Sequence, residues 1–340
     1  MRYFFFIATG ALLLAVMWGV AFQFSLGIEA TPEARFISEW YDRKEGVEDT
    51  SGPSLYLVGG SSGFFGVDTR TVASEIGVPS INFATHAALS LDYIVSRVKA
   101  SLKPGDLVVL MLEYSYFVES GSTDVMMEFM VGGDAGYFRS QGYQEQMFGF
   151  LADSPKDLVL RLVSGLSGQG ETQGDVMGVV DREMSELGNR DHHEASRASG
   201  AQKIAIREAP PVRVLFMGQK IAQSPAWETL SLFSNWCREN QIQVFAAFPP
   251  LLYHPEYAAS TVDETALTIT DQYETLGISV IGNLRRSLRP PEEFFDSVYH
   301  LNEEGKKVKT RHFVQDLKLQ MNRDSETNSP GKTEKNHARP

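Results

Sequence analysis

Two short segments near opposite ends of the chain carry side chains suited to acyl-transfer chemistry. The first is Leu57-Val58-Gly59-Gly60-Ser61-Ser62-Gly63, a serine turn that closes an apolar run. The second is Asp296-Ser297-Val298-Tyr299-His300-Leu301-Asn302. A serine hydroxyl becomes a nucleophile when a base takes its proton, and an imidazole is a better base when a carboxylate orients it. Ser61, His300 and Asp296 supply one of each. Glycines on both sides of the serines permit a sharp turn and let backbone N–H groups approach a ligand. The same glycines also make an ordinary tight turn, so this segment alone does not decide for catalysis. Asp296 and His300 stand four apart in a loop ahead of a helix, where both can reach one sheet edge. A surface histidine beside a helix cap is the competing explanation.

The elements between these segments alternate β and α. Leu55–Val58 is a short apolar strand, and Asp68 can cap a helix that runs to about Ile76, ended by Gly77-Val78-Pro79. Ser80–Phe83 is a second strand. Ser90 can cap a helix in which Leu91, Ile94, Val95, Val98 and Leu102 recur at helical spacing. Leu107–Leu112 is wholly apolar, the pattern of a strand covered on both faces. Ser224-Pro225 opens a helix with Trp227, Leu230, Phe233 and Cys237 on one face. Ile242–Phe248 and Ile278–Ile281 complete the strands, with a helix over Asp263–Leu276 that Asp263 can cap, and Asn302 can cap the last helix. The order predicts a three-layer α/β/α domain on a parallel sheet of about five strands, spanning residues 54–320. Functional groups on such a sheet collect at the carboxyl ends of its strands, where Ser61 falls. Residues 29–53 are expected to be a linker with a short helix around Ala34–Tyr41, 120–165 to form helices over the sheet, 166–210 to be an irregular excursion, and 321–340 a disordered tail.

Residues 1–28 form a separate unit. Tyr3 to Phe22 is almost unbroken apolar sequence, and twenty helical residues span roughly 30 Å, the thickness of a bilayer core. Arg2 before the run, and Glu29 and Glu33 after it, favour an N-terminus left in the cytoplasm and a domain outside the inner membrane, in the periplasm or beyond. A signal anchor is favoured because the run is long. Cleavage after Gly19-Val20-Ala21 to release a secreted protein is the alternative.

The 340 residues carry a net charge of -12, which argues against a nucleic-acid partner. Cys237 is the sole cysteine, so there is no intrachain disulfide and no cysteine-based zinc site. Asp191-His192-His193-Glu194 has the look of a metal site but lies in polar sequence with nothing to fix it, so no metal and no cofactor is expected. Substrate contact and loop packing are equally open for His86. Trp227 and Trp236 are read as packing residues, and Lys306, Lys307 and Lys309 as a solvated helix face.

Ser61 after a strand, an Asn-containing segment after the second strand and an Asp-His loop before the final helix together resemble the SGNH/GDSL hydrolase superfamily. The pattern is more closely similar to its membrane-anchored members of bacterial exopolysaccharide and cell-wall acylation, such as the alginate O-acetyltransferases. The resemblance covers roughly residues 54–118 and 240–318. It implies Ser61 as nucleophile, His300 as base and Asp296 as orienting acid, with Gly60 where the family often has Asp. Asp296 is one residue farther from the histidine than the family's Asp-x-x-His. Asn82-Phe83-Ala84-Thr85-His86 replaces the block whose glycine N–H holds the oxyanion, so Ala84 becomes the candidate donor, with Asn82 beside it. The block that normally carries an oxyanion asparagine reads Leu112-Glu113-Tyr114-Ser115-Tyr116. Such a donor is worth about 3–4 kcal/mol in the transition state. Tyr114, through its hydroxyl, is the expected substitute, because ionised Glu113 can only accept.

The resemblance implies a serine-dependent acyl transferase or esterase outside the cytoplasm. Its partners would be a carbohydrate polymer or acyl donor, the inner membrane and other exopolysaccharide machinery. The alternative is a non-catalytic SGNH-like component of a polysaccharide assembly or export complex.

Overall fold

The computed structural model describes residues 2–29, 31–45, 52–118, 124–167, 218–257, 259–295 and 297–327. Five apolar runs pair into one parallel sheet: β1 (Leu55–Gly59), β2 (Ser80–Asn82), β3 (Leu107–Met111), β4 (Gln243–Ala247) and β6 (Ser279–Ile281), in the order β2-β1-β3-β4-β6. A second, two-stranded parallel pair joins β5 (Leu251–Leu252) to β7 (Leu288–Arg289), which the sequence pattern does not announce. Among the described residues the α-helices are α1 (Arg2–Ser25), α2 (Pro32–Glu45), α3 (Ser61–Gly66), α4 (Thr69–Ile76), α5 (Leu91–Ser101), α6 (Ser115–Val118), α7 (Asp124–Gly132), α8 (Ala135–Ser140), α9 (Tyr143–Ala152), α10 (Pro155–Ser167), α11 (Gly218–Ala222), α12 (Ala226–Glu239), α13 (Ala259–Thr275), α14 (Leu284–Ser287) and α15 (Glu303–Thr327).

Both faces of the sheet are covered, as its apolar strands require. On one face Leu55, Leu57, Val109 and Met111 pack with Val72 of α4 and with Phe313, Val314 and Leu317 of α15. On the other, Tyr56, Val58, Val108 and Leu110 pack with side chains of α5, α12 and α13. The three-layer α/β/α architecture expected from the sequence is therefore present. Local signals act where expected: Asp68 accepts from the N–H groups of Arg70 and Thr71, Ser90 from Tyr93 N–H, and Asn302 from Gly305 N–H. Asp263 is not a cap. It lies inside α13, which starts at Ala259, and pairs with Arg285 at 2.7 Å.

Two segments and a lysine cluster depart from expectation. The linker contains α2, whose Ala34, Ile37, Trp40 and Tyr41 recur at helical spacing and are buried, so α2 is part of the core. The tail is helical as far as Thr327. Lys306 and Lys309 are buried, because they sit on the inner side of α15, while Lys307 pairs outward with Glu303 and Glu304. Of the excursion expected at 166–210, residues 168–210, with Asp191, His192, His193 and Glu194, lie outside the described residues.

Lys309 donates to Phe248 O at 2.6 Å and to Ser287 Oγ at 3.0 Å. Burial pushes its ammonium down to about 7 from 10.5, with Arg286 and Arg289 lowering it further and Asp316 opposing. Between these two values the unfolded chain binds the extra proton, so stability rises with pH across that window. The stability of wild type relative to Lys309→Met, measured by denaturant unfolding from pH 7 to 10, is expected to climb. A difference that stays flat with pH would refute this.

α1 is apolar and long enough to cross a membrane, and most of its side chains are exposed. Its last turn is fixed to the domain. Phe22 meets Phe138 and Phe150 edge to face, with centroids 5.9 and 5.3 Å away. Arg161 of α10 is buried, with Nε on Ser25 Oγ at 3.3 Å and an ion pair to Asp153 at 2.5 Å.

Candidate functional site

β1 delivers the serine turn to the carboxyl edge of the sheet. Two glycines are required there by contact. A Cβ on Gly59 would lie 2.1 Å from Met111 O, and one on Gly60 would lie 2.7 Å from both Ala87 Cα and Glu113 Oε2. α3 begins at Ser61, which is partly exposed, whereas Ser62 to Gly66 are buried. Among the described residues nothing hydrogen-bonds to the Ser61 hydroxyl or to its N–H.

A carboxylate clamps the turn from behind. The β1–β3 register sets Gly59 opposite Met111, which carries Glu113 beside the serines. Glu113 Oε2 accepts Gly60 N–H at 3.1 Å and Oε1 accepts Ser62 N–H at 2.6 Å. Burial raises the Glu113 carboxyl above its ordinary range, and the bonds from Ser62 and Gly60 pull it back. Ser62 Oγ also faces this carboxylate but makes no hydrogen bond of good geometry. Among the described residues the Tyr116 hydroxyl is likewise buried without a hydrogen-bond partner, and burial followed by the Glu113 charge raises the phenols of Tyr116 and Tyr299.

The sequence-expected donor Tyr114 is directed elsewhere. Side chains alternate across a strand, and Tyr114 follows Leu110 and Leu112 onto the opposite face, lining a small cavity with Phe117, Phe248 and Tyr273. The residue turned to the serine is Glu113.

Three other expected oxyanion or substrate groups are engaged within the protein. Gly60 N–H is held by Glu113. Ala84 N–H donates to Asn82 Oδ1 at 3.2 Å, a local Asx bond. Asn82 Nδ2 donates to Gly63 O and Phe64 O, both at 3.2 Å, which ties α3 to the loop after β2. Ala84 O accepts from Trp40 Nε1 at 3.0 Å and from Lys44 Nζ at 2.7 Å, with Lys44 3.8 Å above the Trp40 ring. Asn82 and Ala84 are thus a buried knot, whereas the Ser61 N–H has no acceptor among the described residues. His86 Nδ1 accepts Ala88 N–H at 3.1 Å, as loop packing predicts.

His300 comes to the same end of the sheet. Its ring lies 4.6 Å from the Phe65 ring and 5.6 Å from that of Phe295. Phe65 is one helical turn beyond Ser61 in α3. The backbone is pinned by Phe295 N–H to His300 O and by His300 N–H to Ser297 O, each at 3.2 Å. Asp296 lies outside the described residues. Chemically, the edge offers a serine hydroxyl and N–H that have no hydrogen-bond partner among the described residues, on a turn clamped by a buried acid, and an imidazole packed on Phe65 of the same helix.

Sequence reasoning missed Glu113 as the clamp and α2 as the element that holds the Ala84 loop. The first was signalled by strand parity: counting in twos from Val109 and Met111 puts Glu113 on the serine side. The second was signalled by the stripe of Ile37, Trp40, Tyr41 and Lys44 at helical spacing.

No protein-family model matches the chain, and no curated protein matches it. Among solved structures it is similar to the crystal structure of protein YxiM from Bacillus subtilis, at 10% identity and a TM-score of 0.37, over 80% of this chain and 58% of that one. The chain therefore spans somewhat over half the length of that protein, and the likeness is too distant to bear on chemistry. The finding that stands is the fold: an α/β domain on a five-stranded parallel sheet, preceded by an apolar helix of membrane-spanning length.

Proposed function

We propose that the chain is a serine-dependent acyl transferase or esterase of the SGNH type, anchored in the inner membrane by α1 and acting outside the cytoplasm on envelope or exopolysaccharide carbohydrate. The observation that carries this reading is the state of Ser61: partly exposed, with hydroxyl and N–H both without a hydrogen-bond partner among the described residues, on a turn whose flanking N–H groups are tied down. Ser61 Oγ would attack the acyl carbonyl while His300 takes its proton, and Asp296 would orient His300. The Ser61 N–H would receive the oxyanion. The carbohydrate acceptor and the location rest on the family resemblance and on Arg2, Glu29 and Glu33.

The second reading, a non-catalytic component of a polysaccharide assembly or export complex, is favoured by one observation. A carboxylate stands where an asparagine donor would be, and the N–H groups of Gly60 and Ala84 are occupied. Purified full-length protein with p-nitrophenyl acetate and a fluorophosphonate probe separates the two. Wild type is expected to turn over the ester and to be labelled at Ser61. Ser61→Ala should lose turnover by about a thousandfold or more, and Ser62→Ala should retain it. Turnover that persists in Ser61→Ala removes the nucleophile. Absence of both turnover and labelling in wild type favours the second reading.

A further inference from the structure

We propose that α10 lies on the lipid surface, its outer face immersed beside the point where α1 leaves the bilayer. The inference rests on the anchor reading of α1. Val159, Leu160, Val163 and Leu166 are 57%, 40%, 55% and 89% exposed. They fall at i, i+1, i+4 and i+7, so they form one stripe on the helix. Four exposed aliphatic side chains in a row are unusual on a surface that faces water on all sides. Lys156 is exposed one turn earlier on the same stripe, where its stem can run along the lipid and its ammonium reach the headgroups.

The occupant follows from what the opposite face of α10 holds. Leu158 and Arg161 are buried, and Arg161 joins Ser25 at the end of α1. A Cβ on Gly165 would meet Ile28 Cδ1 at 2.8 Å, so α10 lies close against the chain just past the end of α1. The inner face of α10 is therefore fastened to residues 25–28, and its apolar outer face continues the exposed surface of α1. An amphipathic helix held at that level sits within roughly 5–10 Å of the headgroup boundary. The site on the sheet edge would then be presented at a set attitude to the membrane, rather than swinging on a tether.

The test uses the full chain in phosphatidylcholine–phosphatidylglycerol vesicles, with an environment-sensitive NBD label on introduced cysteines. Cys237 is buried and its thiol is pushed up to about 12, so it stays unlabelled in the folded protein, which the unmodified chain controls for. Val163→Cys and Leu166→Cys replace exposed residues and leave the core intact. Leu12→Cys in α1 reports insertion, and Leu319→Cys, 58% exposed on α15, reports water. The expected result is loss of NBD fluorescence at 163 and 166 with a nitroxide placed near the headgroups, loss at 12 with one placed near the chain ends, and no loss at 319. Quenching at 12 but not at 163 and 166 overturns the proposal while the anchor stands. A blue shift at 163 and 166 without lipid quenching also overturns it, and assigns the face to protein, such as a second copy of this chain. No quenching at 12 removes the anchor and the proposal together.

Discussion

Gly60→Ala is expected to abolish Ser61-dependent turnover and to lower stability by about 3–5 kcal/mol, although it touches neither Ser61 nor His300. The added methyl would lie 2.7 Å from Ala87 Cα and 2.7 and 2.8 Å from the two Glu113 oxygens. Ala87 cannot withdraw freely, because its loop is tied by Thr85 N–H to Gly59 O at 3.2 Å and by Ala88 N–H to His86 Nδ1. Glu113 can withdraw only by releasing Gly60 and Ser62. Overpacking costs about 1–3 kcal/mol, and each buried N–H left without an acceptor adds about 1–3 kcal/mol. The conflict is one of space: Gly60 has φ −92°, which alanine adopts without strain. Gly77→Ala is the contrasting control. It has φ +73° but open space around it, so only the left-handed conformation is penalised, by roughly 1–2 kcal/mol, and turnover should survive. Thermal melts and ester turnover on both variants check this. A Gly60→Ala protein with wild-type melting and turnover would show that the turn is not held as described.

The second large effect is at Glu113. Glu113→Ala leaves the N–H groups of Gly60 and Ser62 buried without an acceptor, and should cost about 2–6 kcal/mol. Glu113→Gln keeps one acceptor but sets an NH₂ against the other N–H, so it should lose less than Glu113→Ala. The pH dependence has a definite sign. Burial raises the folded carboxyl above 4.5, the ordinary value. The folded state then holds a proton that the unfolded chain has released. Stability from this group is fully present below about pH 4.5 and declines as pH rises through the folded value. Wild type should therefore lose stability relative to Glu113→Gln as pH increases from about 4 toward neutrality. A gap between the two that widens in the other direction would mean that the two N–H bonds outweigh burial. Denaturant midpoints over that range decide it.

Much of this chain is legible from residue order because its signals are local. β3 is apolar on both faces, and that demands two covering layers. Asp68, Ser90 and Asn302 cap helices through bonds spanning two or three residues. The placement of Ser61 at a strand end follows from the same order. The misjudged features are non-local. Whether Glu113 or Tyr114 faces the serine depends on pleat parity counted from β3. Whether the Ala84 N–H is open depends on a rotamer of Asn82 that also answers to α3. The burial of Lys306 and Lys309 depends on which side of α15 meets the sheet.

Residue types and spacing by themselves determined the α/β alternation, the apolar span of α1, and the serine and histidine that could do chemistry. They determined these because backbone propensity, capping and hydrophobic periodicity act within a few positions. Tertiary structure alone decided the surroundings of Ser61: which N–H groups remain open, which acid stands behind the turn, and that His300 packs on Phe65. Those depend on strands about fifty residues apart in sequence and side by side in space, where a buried donor must find whatever acceptor the packing brings to it.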